Sequence, residues 1–390
     1  MTLAFIEKLE NSFKDMVAIR RYLHMHPEVS FQETKTAKYI QDFYTDLAIP
    51  FQANVGGNGV VARIKGSLPG KTVALRADFD ALPIQDEKDV EYKSTVAGVM
   101  HACGHDGHTA ALLILARTIN ELKEQLTGEY VFIHQHAEEY APGGAKPMID
   151  AGCLEGVDVI FGTHLWSLTP LGTIEYKSGA IMAAADRFEI VIQGRGGHGA
   201  NPHQSKDAIV IASQLVVNLQ QLVSRRVNPT EAAVLSVGSF VAENAFNIIA
   251  DSAKLSGTVR TFNPEIRNLM EHELERVIKG TCMTADCTYA FTYDRGYPPV
   301  INHQTETDFL EIVAKEVPGV EKVEESILHM IGEDFGYYME KIPGTFFFTG
   351  AMPEGEVYPH HSPKFDFDER AMLIAAKTLG TAAMKYQTQK

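Results

Sequence analysis

The chain has 390 residues, which favours two domains over one core, and its 50 acidic and 35 basic residues give a net charge of −15 that argues against a nucleic-acid or anionic-membrane surface. Its four cysteines are too few for a disulfide framework, no apolar run is long enough to span a bilayer, and the first residues, MTLAFIEKLENSF, lack the basic start of a signal peptide. Composition therefore excludes membrane proteins and disulfide-rich domains, and we expect a reduced, cytoplasmic protein.

Helices and strands alternate along the first part of the chain. Apolar residues have helical spacing in residues 16–28 and 34–47, and a helix that begins near residue 105 would bury one apolar face. Strands are predicted at residues 59–66, 72–80, 130–139, 157–165 and 344–350. This alternation predicts an α/β fold with a mostly parallel central sheet and flanking helices.

The middle of the chain has a different order of elements. Residues 187–294 read as strand, helix, strand, strand, helix, strand, which is the ferredoxin-like βαββαβ pattern. We therefore expect a catalytic metal-binding domain whose first part is residues 1–182, an inserted lid or dimerisation domain at 183–295, and a second catalytic part at 296–390.

Side chains that bind metals are concentrated in MHACGHDGHT, residues 100–109. The single cysteine there, Cys103, lies just before a predicted helix whose dipole would favour its thiolate, and any site formed here must be completed elsewhere. Further polar residues follow the predicted strands, at the edge where parallel strands end, or lie in YPHHSPKFDFDE near the C-terminus. Those after strands are Asp78, Asp80, Glu138, Glu139 and His164. So many potential ligands exceed the needs of one tetrahedral ion and favour a two-metal site with room for water.

Two adjacent glutamates place a condition on the local structure. Neighbouring residues on a strand point to opposite faces, so Glu138 and Glu139 can both face a metal site only if the strand ends there. The following residues, YAPGG, support such an end.

Eight motifs occur in the order found in one family of metallopeptidases: RADFDALPI, MHACGHDGHT, HQHAEE, GTHLW, GRGGHGANPH, GTVRTF, GEDF and HHSPKFDFDE. On these motifs the whole chain resembles the aminoacylase/carboxypeptidase G family. It is most similar to the amidohydrolase branch, which holds hippurate hydrolase, indole-acetyl-amino-acid hydrolases and N-acetyl-diaminopimelate deacetylase. The resemblance implies two divalent metal ions per subunit and Glu138 as the general base. The metal ligands that it implies are Cys103, His105, Glu139, His164 and His361.

The chain departs from the wider family at its first metal motif. The usual His-x-Asp reads Arg76-Ala77-Asp78 here, which loses one ligand. In the amidohydrolase branch His105 restores a ligand, and Cys103 replaces the usual bridging aspartate. We expect Asp78 to orient a ligand histidine and not to bind metal itself.

Further roles are implied for the inserted domain. His198, which lies among glycines, and Asn247 would contact the developing oxyanion, and Arg260 would bind the substrate carboxylate. Relatives dimerise through this domain, so the resemblance implies a homodimer or a higher homo-oligomer in which His198 reaches the active site of the partner.

Together these features predict a metal-dependent amidohydrolase that cleaves N-acyl-amino acids into a carboxylate and a free amino acid. We expect Mn or Zn as the metal, with Co or Ni as alternatives, a small N-acyl-amino acid or short peptide as substrate, and no nucleic-acid or membrane partner. Two alternatives remain open: a dinuclear metallo-exopeptidase, and a non-catalytic metal-binding protein on the same fold. Glu138 argues against the second, because a carrier needs ligands but no base.

Several other residues are expected to be structural. His134 and His136 fit buried strand positions, His360 fits a neighbour that fixes the loop of His361, and HMHPEVSFQE at residues 24–33 fits the end of a helix. The sequence leaves open whether four more residues serve the site: His101, His108, Glu333 and Asp334.

Overall fold

The structure is a computed structural model that describes residues 2–387 and residue 389. The helices are α1 (Thr2–Asn11), α2 (Phe13–Met25), α3 (Thr34–Asp46), α4 (His105–Leu122), α5 (Ala145–Asp150), α6 (Ala208–Arg225), α7 (Pro264–Thr284), α8 (Gln304–Ala314), α9 (Gly336–Met339) and α10 (Arg370–Tyr386). The strands are β1 (Phe51–Val55), β2 (Gly59–Lys65), β3 (Leu68–Asp78), β4 (Thr127–Gln135), β5 (Val159–Trp166), β6 (Thr173–Tyr176), β7 (Gly179–Met182), β8 (Ala184–Gln193), β9 (Gly197–His198), β10 (Ala233–Val241), β11 (Ile248–Ile249), β12 (Ser252–Thr261), β13 (Thr288–Asp294), β14 (Val300–Asn302), β15 (Lys322–Glu325) and β16 (Gly344–Gly350).

The chain forms two compact units. The first contains the described residues of the ranges 1–181, 301–327 and 334–390, and the second contains Met182–Val300 and Leu328–Glu333. Each has its own cluster of buried apolar side chains. No helix in the described part of the chain is long and apolar enough to cross a membrane.

An eight-stranded sheet forms the centre of the first unit, in the order β1-β2-β4-β3-β5-β16-β6-β15. The four central strands, β4, β3, β5 and β16, are parallel, and the antiparallel pairs lie toward the edges. The apolar runs of β5 and β16 are buried on both faces, as expected for parallel strands covered by helices on both sides. The prediction of a mostly parallel sheet is confirmed. Its strand register sets Asp78, at the end of β3, beside Gln135, at the end of β4.

Helix α4 begins within the motif MHACGHDGHT, residues 100–109. It begins at His105, directly after Gly104, whose φ of 96° lies in the left-handed region that glycine adopts without strain. Gly107 lets the first turn approach β5, because a Cβ there would lie 2.5 Å from the ring of Phe367 and 2.8 Å from the Leu165 side chain. The start of α4 is therefore fixed against the end of β5.

The second unit is a ferredoxin-like sandwich. Its elements follow the chain order β8, α6, β10, β12, α7, β13, and its antiparallel sheet has the spatial order β10-β12-β8-β13. Local sequence explains both helix starts. The Asp207 side chain accepts hydrogen bonds from two N–H groups of α6, and the Asn263 side chain accepts one from α7, which begins with Pro264. The predicted βαββαβ fold of the middle segment is confirmed.

Candidate active site

Five elements or loops of the first unit bring the predicted metal ligands together. Cys103 precedes α4, His105 is the first residue of α4, and His164 lies in β5. Glu139 follows the end of β4, and His361 lies in the loop before α10. A hydrogen bond from the His361 N–H to the Ala102 carbonyl, at 2.8 Å, holds that loop beside Cys103.

The ligand atoms form two groups that share one residue. Cys103, His105 and His164 make one group, and Cys103, Glu139 and His361 make the other, with all atoms of a group within 4.8 Å of one another. The Cys103 Sγ lies 3.4 Å from His164 Nε2, and Glu139 Oε2 lies 3.3 Å from His361 Nε2. A cysteine common to both groups has the position that a bridging ligand needs.

Hydrogen bonds turn two of these histidines toward the cluster. The Nδ1 of His105 lies 3.0 Å from the Asp80 carbonyl and 3.2 Å from its carboxylate, so this nitrogen carries the proton and donates. The Nδ1 of His164 lies 2.9 Å from the Leu165 carbonyl. In both rings Nε2 is left to face the cluster, the arrangement in which a histidine binds a metal.

The electrostatics of the cluster fit a bound cation. His105 Nε2 and Glu139 Oε1 are buried and have no hydrogen-bond partner among the described residues. Burial lowers the pKa of His105, but Asp78, Asp80 and Glu139 outweigh it and raise that pKa to about 10. The negative field of these carboxylates favours a positive charge at this point. Buried imidazole nitrogens and carboxylate oxygens that lack hydrogen-bond partners are suitable ligands for a metal cation.

The surroundings of the Cys103 thiol also favour a bound cation. Burial raises its pKa well above the ordinary value, and Glu139 and Glu138 raise it further. In the chain alone these effects oppose the stabilisation of the thiolate that the start of α4 would provide. A cation at the cluster reverses that balance, because it lowers the proton affinity of a coordinating thiol.

Glu138 lies beside the ligand cluster. β4 ends at Gln135, and Ala137 has a left-handed φ of 52°, which turns the chain before both glutamates. The strand ends four residues earlier than the predicted 130–139, so both glutamates lie beyond it. Carboxylate oxygens of Glu138 and Glu139 and a nitrogen of His105 lie within 4.8 Å of one another, and Glu138 is buried. Glu138 thus lies beside Glu139 and His105 but belongs to neither group that contains Cys103.

Comparison with known proteins identifies the family. The profile of peptidase family M20/M25/M40 matches residues 74–385. The chain belongs to this family.

Individual relatives of this M20 chain place it on the amidohydrolase branch. It is 59% identical over 382 residues to YhaA, a provisionally named amidohydrolase of Bacillus subtilis (strain 168), and the match covers 97% of this chain and 96% of the relative. It is 48% identical over 304 residues to an N-acyl-L-amino acid amidohydrolase of Geobacillus stearothermophilus, covering 78% and 82% of the two chains. The crystal structure of Bacillus subtilis YXEP, described as a dinuclear metal binding peptidase from the M20 family, superposes with a TM-score of 0.85 at 36% identity and covers 97% and 99%. The M20 chain is a metal-dependent amide hydrolase.

The arginine that replaces the usual histidine of the M20 metal motif has a structural position. The buried guanidinium of Arg76 donates to Asp78 at 2.7 Å, to Asp334 at 2.9 Å and to Gln135 at 2.9 Å. Gln135 in turn donates to both carboxylate oxygens of Asp334 at 2.8 Å. Arg76 and Asp334 thus brace the ends of β3 and β4, a position that the sequence had left open for Asp334.

Asp78 contacts a histidine outside the predicted ligand set. Its Oδ1 accepts from His108 Nδ1 at 2.6 Å, and His108 Nε2 accepts the Leu165 N–H at 2.9 Å. Both nitrogens of His108 are therefore occupied, so this ring links β3 to β5. The other Asp78 oxygen lies 3.6 Å from His105 Nε2, and a role for Asp78 in orienting a ligand stays a prediction.

Sequence reasoning missed the part that Asp80 plays in this site. Besides its contacts with His105, its Oδ2 accepts the Glu139 N–H at 2.9 Å and the Ser30 hydroxyl at 2.7 Å. One buried carboxylate thus holds two of the predicted ligand residues. The signal in the sequence was its place two residues after Asp78, just beyond the end of the same strand.

His360, which was expected only to fix the loop of His361, also contacts the ligand cluster. Its Nε2 lies 3.3 Å from the Ser167 N–H and accepts from it, so the proton is on Nδ1, which lies 3.8 Å from the Cys103 Sγ. The ring lies against Trp166, with centroids 4.4 Å apart. His134 and His136 are buried at the end of β4, as expected.

The predicted substrate residues of the second unit fall into two places. His198 in β9 pairs with Ile248 in β11, and the Gly199 N–H donates to the Asn247 carbonyl at 2.8 Å, so His198 and Asn247 are neighbours. Arg260 lies near the far end of β12, where it pairs with Ala185 and contacts Thr258. Arg260 lies eight positions along β12 from Ser252, which is close to the β9–β11 pair that holds His198, and this length of strand corresponds to roughly 25 Å. One copy of the unit does not bring Arg260 to His198.

Proposed function

We propose that this M20 hydrolase cleaves the amide bond of N-acyl-amino acids and releases a carboxylate and a free amino acid. The observation that carries the proposal is that five potential ligand residues form two groups sharing Cys103, and that the buried carboxylate of Glu138 lies within 4.8 Å of ligand atoms of His105 and Glu139. A relative 48% identical to this chain is named an N-acyl-L-amino acid amidohydrolase, which supports the same substrate class here.

Cys103, His105, Glu139, His164 and His361 are proposed to hold two divalent ions, with Cys103 common to both. Thiolate, imidazole and carboxylate together suit Zn or Mn, and also accept Co or Ni. When bound, the ions lower the pKa of a water and polarise the amide carbonyl. The four cysteines are free thiols, which fits the reducing cytoplasm that we propose as its location.

Glu138 is proposed to move the proton. As a carboxylate it takes a proton from the attacking water, and as a carboxylic acid it gives that proton to the amine nitrogen that leaves. Burial keeps the carboxylate away from bulk water, so the proton is held for the second step. The neighbouring Glu139 points an oxygen to His361 and serves as a ligand in this proposal.

His198, Asn247 and Arg260 are proposed to bind the substrate. The His198 Nδ1 accepts the Ala200 N–H at 3.1 Å, which places the ring proton on Nε2, where it can be donated to a developing oxyanion. The Arg260 guanidinium matches the substrate carboxylate. Because Arg260 lies near the end of β12 that is far from β9 and His198, their action on one substrate is most simply met if His198 comes from the partner in a homodimer.

A substrate screen tests this function. Metal-loaded protein is assayed for amino-acid release from N-acetyl-methionine, hippurate and a dipeptide such as Gly-Leu at equal concentrations. We expect the highest kcat/KM on an N-acyl-amino acid. A preference for the dipeptide would assign the chain to the exopeptidases of the same fold, and no hydrolysis of any of the three would contradict the proposal.

A further inference from the structure

The turn between α2 and α3, residues 27–33, contacts the segment that follows β3. Val29 forms a parallel bridge with Ala81, and the Ala81 N–H donates to the Glu28 carbonyl at 2.9 Å. This pairing sets the turn alongside the segment that follows β3. From there two side chains of the turn, Ser30 and Glu33, extend toward residues that surround the metal cluster.

Glu33 holds the backbone directly before the base. Its buried carboxylate accepts the Ala137 N–H at 2.8 Å through Oε1 and the Asn58 side-chain amide at 3.0 Å through Oε2. The carbonyl of Ala137 accepts the Gly144 N–H at 3.1 Å. Ala137 is thus bonded on both sides while it holds a left-handed φ of 52°, a conformation that a residue with a side chain keeps only under such constraint.

A second chain of hydrogen bonds runs from the same turn to two of the predicted ligands and does not include Glu138. The Ser30 hydroxyl donates to Asp80, and Asp80 accepts from the Glu139 N–H and from His105 Nδ1. The two connections therefore separate the functions of neighbouring glutamates: one ends at the residue before Glu138, and the other ends at Glu139.

We propose that Glu33 is a positioning residue for the general base, acting as a hydrogen-bond acceptor that fixes Ala137 and with it the direction of the Glu138 side chain. This inference rests on the proposed function of Glu138. Glu33 does not touch the ligand set, so its loss changes the rate of the chemical step and leaves metal binding intact. Asp80 positions ligands, and its loss weakens metal binding.

The contact between Glu33 and the Ala137 N–H requires a hydrogen-bond acceptor at a fixed distance, and it does not require a negative charge. Burial raises the pKa of Glu33 to about 7, and a neutral carboxyl still offers a carbonyl oxygen to the Ala137 N–H. Glutamine keeps that oxygen in place, and Asn58 can reverse its amide to match. Aspartate keeps the charge but shortens the side chain by one methylene, which withdraws the acceptor from Ala137.

The test compares Glu33→Gln with Glu33→Asp in the metal-loaded enzyme, assayed on the substrate that wild type prefers in the screen. We expect Glu33→Gln to keep kcat within about threefold and Glu33→Asp to lose about tenfold to a hundredfold in kcat, with KM and the metal content of both near wild type. Asp80→Asn should instead lose metal affinity by about tenfold to a hundredfold. Glu28→Gln is the matched control, because Glu28 lies in the same turn but caps α3 through Thr36.

Several results would overturn the positioning role of Glu33. These are full kcat in Glu33→Asp, a loss of kcat that follows loss of metal, or an equal loss in the Glu28→Gln control. A larger loss in Glu33→Gln than in Glu33→Asp would show that the charge acts instead. An inactive wild type contradicts the proposed function itself and is recognised before any variant is compared.

Discussion

Glu138 and Glu139 are adjacent in the chain but have different environments. We therefore assign them different roles in the site. Glu139 contacts two histidines, with oxygens 3.8 Å from His105 Nε2 and 3.3 Å from His361 Nε2. Glu138 is buried beside them and belongs to neither group that contains Cys103.

The first prediction separates the two glutamates. Glu138→Gln should lower kcat by about a hundredfold or more, because the amide takes no proton from water, and should leave two metal ions bound. Glu139→Gln should lower the bound metal. Elemental analysis of each purified variant, together with its kcat, checks both; the opposite pattern would show that we have exchanged the roles.

A second prediction at the residue scale concerns stability and pH. Burial lowers the pKa of His134 to about 3, and its Nε2 lies 2.7 Å from the Tyr44 hydroxyl. The folded state therefore keeps His134 neutral, whereas the unfolded chain takes up a proton below its ordinary pKa of about 6.5. The contribution of neutral His134 to the free energy of unfolding is complete above about pH 6.5 and is lost as the pH falls toward 3. At pH 5 the free energy of unfolding is lower by about 2 kcal/mol for this reason.

Urea unfolding at pH 7 and pH 5 measures this contribution. His134→Phe should be less sensitive to the change of pH than wild type, while His272→Gln, at an exposed position in α7, should resemble wild type. Equal pH sensitivity in His134→Phe and wild type would mean that this histidine does not resist protonation in the folded state.

At the scale of elements, the approach of α4 to β5 determines the geometry of the cluster. Gly107→Ala would place a methyl group 2.5 Å from Phe367 and 2.8 Å from Leu165. We expect a loss of about 1–3 kcal/mol in stability and weaker metal binding, since His105 and His164 would move apart. Gly280→Ala in α7 meets no atom within 4 Å and should instead gain about 0.5–1 kcal/mol. Thermal unfolding and metal titration of both variants check this; normal metal affinity in Gly107→Ala would contradict it.

The elements themselves were predictable because their patterns are local. Apolar runs marked β4, β5 and β16, and the βαββαβ order marked the second unit. The ligand set was implied by the resemblance of its motifs to a known family, and it stays a prediction. The partners of those ligands were not predictable, because the contact of Asp80 with Glu139 depends on where two strands end relative to each other. The contact of Glu33 with Ala137 joins residues 104 positions apart, and no local pattern reveals it.

At the scale of the whole molecule, the separation of His198 from Arg260 within one chain predicts shared active sites. Mixing inactive Glu138→Gln and His198→Ala chains after reversible dissociation gives hybrid dimers in which one of two sites has both residues intact. Random pairing should return about a quarter of wild-type activity. No recovery in hybrids confirmed by native mass spectrometry would place His198 in its own subunit's site or outside catalysis.

The central claim, that this chain hydrolyses amides through metal ions held at the Cys103 cluster, is tested most directly by metal titration of metal-free protein with an N-acyl-amino acid as substrate. Chelation should abolish turnover, and stepwise addition of Mn or Zn should restore it until two ions are bound per chain. Full turnover by protein that elemental analysis shows to contain no metal would contradict the account.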